Sequence, residues 1–233
     1  MRETGNPRIE TAPIDLASLA SVAAFAEHLL KRGEPLALLM NNAGTMETER
    51  RITEDGLERT VSVNYVGPYL LTRKLLPLMG EGSRIVNMVS CTYAIGHLDF
   101  PDFFLRGRKG GFWRIPIYSN TKLALTLFTI DLASRVKHKG IVVNAADPGI
   151  VSTNIITMHM WFDPLTDILF RPFIRTPRKE LQRLSAYCWM RMPVNVRDIE
   201  CQLPSQVSFG EVHPACTDGR TVERTESIVK KWL

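Results

Sequence analysis

The sequence predicts an α/β fold, a doubly wound parallel sheet with helices on both faces. Two observations carry that expectation. Short apolar runs at Leu36–Met40, Arg84–Ser90 and Ile141–Ala146 alternate with longer segments of helical period. Each run also passes directly into turn-forming or small polar residues, at Asn41–Gly44, Ser90 and Asp147–Gly149. In parallel sheets, ligand sites are built beyond the C-terminal ends of the strands from such residues.

The elements follow in order. Arg8–Ile14 roughly alternates and reads as a short strand ending at Asp15. Leu16–Leu30 is an amphipathic helix, with Asp15 or Ser18 as its cap and Gly33 and Pro35 as its breakers. Leu36–Met40 is apolar throughout, the pattern of a strand buried on both faces. Glu54–Met79 reads as one long helix kinked at Gly67-Pro68. Arg84–Ser90 is a second buried strand, and glycines, prolines and aromatics make Cys91–Ile117 irregular. Tyr118–Lys137 is a helix with apolar residues at Leu123, Leu125, Leu127, Phe128 and Leu132, and Ile141–Ala146 is the next strand.

Composition narrows the class. The 233 residues are 45% hydrophobic and 23% charged, ordinary for a globular protein. The net charge of +5 is scattered, and the longest basic feature, Arg106-Gly-Arg108-Lys109, lies in a Gly-rich loop, so no nucleic-acid partner is expected. Cys91, Cys188, Cys201 and Cys216 show no disulfide spacing. Cys201, Cys216 and His213 lack a Cys-x-x-Cys anchor, so no metal site is expected. The first residues hold no apolar signal region and no 18-residue apolar run occurs, which sets a cytoplasmic expectation.

Tyr118 and Lys122 stand four apart on one helix, so they share a face. A nearby ammonium favours phenolate and lowers a tyrosine from its usual pKa of about 10, which suits acid/base work near neutral pH. By itself the pair is a weak signal. With it come Asn41-Asn-Ala-Gly44, Asn64-Tyr-Val-Gly67, Ile85-Val-Asn-Met-Val-Ser90 and Asp147-Pro-Gly-x-Val-x-Thr153. Five motifs in this order over residues 8 to 155 resemble the short-chain dehydrogenase/reductase family, which has a Rossmann-like fold. The aromatic filler between Ser90 and Tyr118, with Phe103-Phe104 and Phe112-Trp113, resembles the retinol dehydrogenase-like branch.

The resemblance implies an NAD- or NADP-dependent oxidoreductase acting on an alcohol or carbonyl. Tyr118 would be the acid/base, Lys122 would lower its pKa and hold the nicotinamide ribose, Ser90 would bind the substrate oxygen, and Asn64 would hold a relay water. Asp15 and Leu16 would meet the adenine, and Asn42, Ala43 and Gly44 the adenosine side. Pro148, Gly149, Val151 and Thr153 would lie along the nicotinamide. Each residue alone has a plainer use: Asp15 as a helix cap, Ser90 as a cap at a strand end, Asn64 as a surface residue, Asn42–Gly44 as a turn. The apolar, aromatic Met158–Phe173 stretch points to a bulky apolar substrate, a core helix or a membrane-surface contact.

Three segments follow: 1–155 as a partial dinucleotide-binding and catalytic domain, 156–178 as a substrate-covering segment, and 179–233 as an atypical tail. No Gly-x-x-x-Gly-x-Gly or Gly-x-Gly-x-x-Gly occurs in the 233 residues. The family's first strand–helix–strand unit, with its pyrophosphate-binding turn, is therefore expected to be absent, leaving dinucleotide binding weak, catalysis impaired and Leu36–Met40 as a sheet edge. One degenerate codon choice for Lys179–Leu184, read in a shifted frame, gives Gly-Ala-Ala-Thr-Ala, a family pattern, so a frameshifted tail is also expected. The competing reading is an inactive remnant that binds a partner or pairs with another chain through its Asn64 and Tyr118 helices. A homo-oligomer is compatible with either.

Overall fold

In this computed structural model the described residues are 6, 8–98, 114–147 and 220–233. They form α1 (Leu19–Arg32), β1 (Leu38–Asn41), α2 (Arg59–Val61), a π-helical turn (Ser62–Val66), α3 (Gly67–Leu75), β2 (Arg84–Met88), a 3-10 turn (Cys91–Ile95), α4 (Arg114–Val136), β3 (Val142–Ala146) and α5 (Arg220–Val229). The strands make a parallel sheet in the order β1-β2-β3, with Leu39 opposite Ile85 and Ile85 opposite Val143. The parallel α/β expectation is met.

Alternation along the strands sorts the layers. Ile85 and Val143 join the main core, with Leu19 and Val22 of α1, Leu70 and Leu75 of α3, and Leu125 and Phe128 of α4. Val86, Met88 and Ala146 form a separate cluster on the opposite face. A buried polar chain crosses the helical side. Asn41 Nδ2 donates to Thr72 Oγ1 at 2.9 Å and to Asn87 Oδ1 at 2.7 Å, and Asn87 Nδ2 donates to Thr129 Oγ1 at 2.9 Å. It ties α3, β1, β2 and α4 in one register, because a buried amide left unpaired would be costly.

Ser18 caps α1, accepting from Ser21 N–H at 3.3 Å, and Gly33 closes it in the left-handed conformation. Arg8–Ile14, expected as a strand, is not one: a strand needs a ladder, and among the described residues none pairs with it. The Leu36–Met40 run is not buried on both faces either. Leu38 is 41% exposed, since β1 lies at one end of the strand order. The long helix starts at Arg59 rather than Glu54, because Gly56 turns at positive φ and the Glu58 carboxylate caps it by accepting from Val61 N–H at 3.0 Å. α4 is already helical at Arg114, four residues before Tyr118.

The kink expected at Gly67-Pro68 is a π-turn. Pro68 has no N–H to return to Asn64, and the chain widens so that Gly67 N–H bonds Ser62 O, five residues back. Gly67 also presses on the segment before α1: a Cβ there would meet Leu16 O at 2.7 Å. Sequence reading placed no helix in the tail, yet α5 packs on α3 and α4. Val222 and Val229 enter the core, Thr225 Oγ1 lies 2.7 Å from Tyr65 Oη, and Glu226 pairs with Arg73.

Gly67→Ala is expected to cost about 1–3 kcal/mol through overpacking against the Leu16 carbonyl. A lowered urea midpoint, with the spectrum of the folded state retained, would check it.

Candidate active site

Because the strands are parallel, the residues that follow them share one edge of the sheet. β1 runs into Asn42-Ala43-Gly44, β2 into Val89 and Ser90, and β3 into Asp147. The α4 helix brings Tyr118 and Lys122 to the same edge. Lys122 Nζ donates to Met88 O at 2.7 Å and lies 5.4 Å from the centre of the Tyr118 ring. Ser90 and Tyr118 are neighbours here, the serine side chain acting to lower the phenol against its burial. Ser90 also caps the 3-10 turn behind it, accepting from Thr92 N–H.

Asn64 holds the other side. The π-turn buries it to 1% exposure, and its carboxamide grips the Thr45 backbone at both ends. Thr45 N–H donates to Oδ1 at 2.7 Å, and Nδ2 donates to Thr45 O at 2.8 Å. The second Nδ2 proton goes to Thr121 Oγ1 at 3.2 Å. Gly44 therefore sits beside both groups; a Cβ there would lie 3.5 Å from Asn64 Oδ1 and 3.8 Å from Lys122 Nζ.

Burial dominates the electrostatics. Desolvation lowers Lys122, 4% exposed, from 10.5 to about 8, opposed by Asp147. Desolvation pushes Tyr118 up to about 12, against the Ser90 hydrogen bond, with Asp147 and Cys91 adding to the rise. The lowering of Tyr118 expected from Lys122 is thus not what the fold produces. The ammonium lies over the ring face, and at neutral pH the phenol keeps its proton.

The site residues separate into groups. Ser90, Tyr118, Lys122, Asn64 and Gly44 come together. Asn42 and Ala43 precede Gly44 on an exposed loop. Asp15 acts at the start of α1, its Oδ1 accepting from Ala17 N–H at 2.8 Å. Leu16 is fastened to the π-turn, its carbonyl accepting from Ser62 Oγ at 3.2 Å. Pro148, Gly149, Val151 and Thr153 lie outside the described residues, as does Met158–Phe173. Sequence reasoning missed Thr45, Thr121 and Met88, which contribute backbone atoms or a helix hydroxyl; only adjacency to the recognised motifs could have pointed to them. Among the described residues no cluster of His, Cys, Asp and Glu could hold a metal, and no helix is long and apolar enough to cross a membrane.

The donor set fits the ribose end of a nicotinamide dinucleotide. Lys122 has protons beyond the one given to Met88, the Tyr118 hydroxyl is close by, and glycine leaves room between them at position 44. For the pyrophosphate, the described residues offer no Gly-rich turn.

A family model described as short chain dehydrogenase matches residues 1–101. Bovine retinol dehydrogenase 12 is 32% identical over 229 residues, 97% of this chain and 70% of the relative. Mouse polyprenol dehydrogenase is 42% identical over 167 residues, 68% of this chain and 49% of the relative. A blue fluorescent protein from a metagenomic library, solved in complex with NADPH, superposes with a TM-score of 0.55 at 25% identity, covering 74% of this chain and 65% of that one. The chain belongs to the short-chain dehydrogenase/reductase family. Within it, the chain falls in the retinol dehydrogenase-like branch. It spans about half the length of the mouse relative, 49%.

The depressed Lys122 has a stability signature. Below pH 8 the folded chain holds a buried ammonium; between 8 and 10.5 it has released a proton that the unfolded chain still binds. Unfolding free energy should therefore rise with pH in that window, by about 2 kcal/mol between pH 8 and 10. Lys122→Met should flatten the rise, as measured by urea unfolding at the two pH values. The window closes near 10, where the raised Tyr118 begins to act in the opposite sense, its contribution being lost as pH climbs from 10 to about 12.

Proposed function

We propose that the chain is an NAD(P)-dependent oxidoreductase that interconverts an alcohol and a carbonyl, with a bulky apolar substrate. The observation that carries the reading is a buried Lys122, bonded to Met88 O and lying over the Tyr118 ring, with Ser90 beside the phenol at the C-terminal edge of a parallel sheet. Family membership supports it, as do relatives named for retinol and polyprenol, both long apolar alcohols. The NADPH complex of a structural neighbour supports the cofactor class.

Tyr118 stores the proton at Oη. Raised to about 12, it is fully protonated at neutral pH and suited to give that proton to a substrate oxygen as reduction proceeds. Ser90 Oγ, beside the phenol, is placed to donate to the same oxygen and stabilise its developing charge. Lys122, mostly charged at pH 7, would hold the ribose hydroxyls and keep the tyrosine in place. When bound, the dinucleotide supplies or accepts the hydride. Asn64 fixes the loop that carries Gly44. Asp15 and Leu16 would flank the adenine, and Val151 and Thr153 the nicotinamide amide.

The test is NADPH- and NADH-dependent reduction of a bulky apolar aldehyde such as all-trans-retinal by the full chain. Tyr118→Phe should lower turnover by about 10²–10⁴-fold while dinucleotide binding, followed by fluorescence, stays unchanged. A wild-type chain that binds neither cofactor at millimolar concentration would overturn the reading. Micromolar binding would instead overturn the expectation of weak binding drawn from the missing Gly-rich pattern.

A further inference from the structure

Hydrogen-bond polarity around Asn64 leaves no freedom, and it leads to a residue outside the motif's named positions. Thr45 N–H can only donate, so the atom facing it is Oδ1 of Asn64. Nδ2 then faces Thr45 O and Thr121 Oγ1 and donates to both. Since Thr121 Oγ1 accepts, its own proton is directed to Tyr118 O, 2.7 Å away. Thr121 is 2% exposed, so water cannot substitute for either bond. A helical threonine bonding a carbonyl of the preceding turn is common. The simultaneous acceptance from Asn64, 57 residues away in sequence, is the added feature.

We propose that Thr121 is a positioning residue for Tyr118: its hydroxyl hangs the tyrosine's turn of α4 on the same carboxamide clamp that fixes the loop at Thr45. One side chain would thereby set the spacing between the Gly44 side of the site and the Ser90–Tyr118 pair. This rests on Tyr118 acting as the proton donor, as proposed above. Serine keeps both bonds; valine keeps the shape and loses them, leaving a buried amide proton of Asn64 facing a methyl group.

The experiment uses the full chain labelled at tyrosine 13Cζ, at pH 8, with Tyr118→Phe assigning the signal and Ser90→Ala marking the shift of a phenol that has lost its serine neighbour. Thr121→Val should move the Tyr118 signal at least halfway to the Ser90→Ala position, and Thr121→Ser should leave it at the wild-type position. Thr121→Ala removes the hydroxyl with less bulk and carries the test if valine prevents folding. A hydroxyl-free variant that keeps the wild-type shift, or a serine variant that moves as far as valine, overturns the proposal. Where turnover is measured, valine should lower kcat about tenfold with the KM for NADPH little changed, and serine should restore it. Absence of turnover in the wild type would remove the functional reading and leave the tyrosine shift to decide the positioning role.

Discussion

The two-ended grip of Asn64 on the Thr45 backbone is the contact on which the rest of the site depends. It works as a strand would, one donor and one acceptor exchanged with a single residue, but it is made by a side chain from a helix. Here the loop leaving β1 is pinned to the helical layer, and Gly44 is set beside Lys122. The grip is made from the π-turn that precedes Gly67-Pro68, where the proline has no N–H to continue the ladder. That turn carries Asn64 in its middle and buries it among polar partners.

Around that contact the fold spends stability to place charge. A lysine at 4% exposure keeps one bond to a strand carbonyl and gives up most of its hydration, which is why its proton is held less tightly. The tyrosine beside it loses solvent too, and its neutral form wins. The result is a phenol that holds a proton and an ammonium that can release one, the reverse of the arrangement the isolated pair predicts. The difference is geometric: the ammonium lies over the ring and is directed to Met88 O.

The motifs at Asn41–Gly44, Asn64–Gly67, Ile85–Ser90 and Tyr118–Lys122 were readable because side-chain type and spacing carry them, and apolar runs marked each of the three described strands. The strand expected at Arg8–Ile14 failed because strand identity belongs to a pair, and period alone supplies one partner. Burial on both faces failed at Leu38, while the sheet-edge position expected for Leu36–Met40 agrees with β1 at the end of the described strand order. The apolar pattern alone reads alike at the centre and at the edge of a sheet. The α5 helix was missed although Val222, Thr225 and Val229 recur at helical spacing. Its stability comes from Tyr65, Tyr69 and Arg73, about 150 residues earlier in the chain, rather than from local propensity.

Taken by itself, the sequence determined the alternation of strand and helix, the order of the motifs, and the residue types available for proton transfer. These follow from local covalent pattern: side-chain periodicity, proline's missing N–H, glycine's missing side chain. Tertiary structure alone decided which way each hydrogen bond runs, that Thr121 joins Asn64 to Tyr118, and that burial moves Lys122 and Tyr118 in opposite directions. Those outcomes depend on desolvation and on partners distant in the chain, neither of which is encoded in any single stretch of residues.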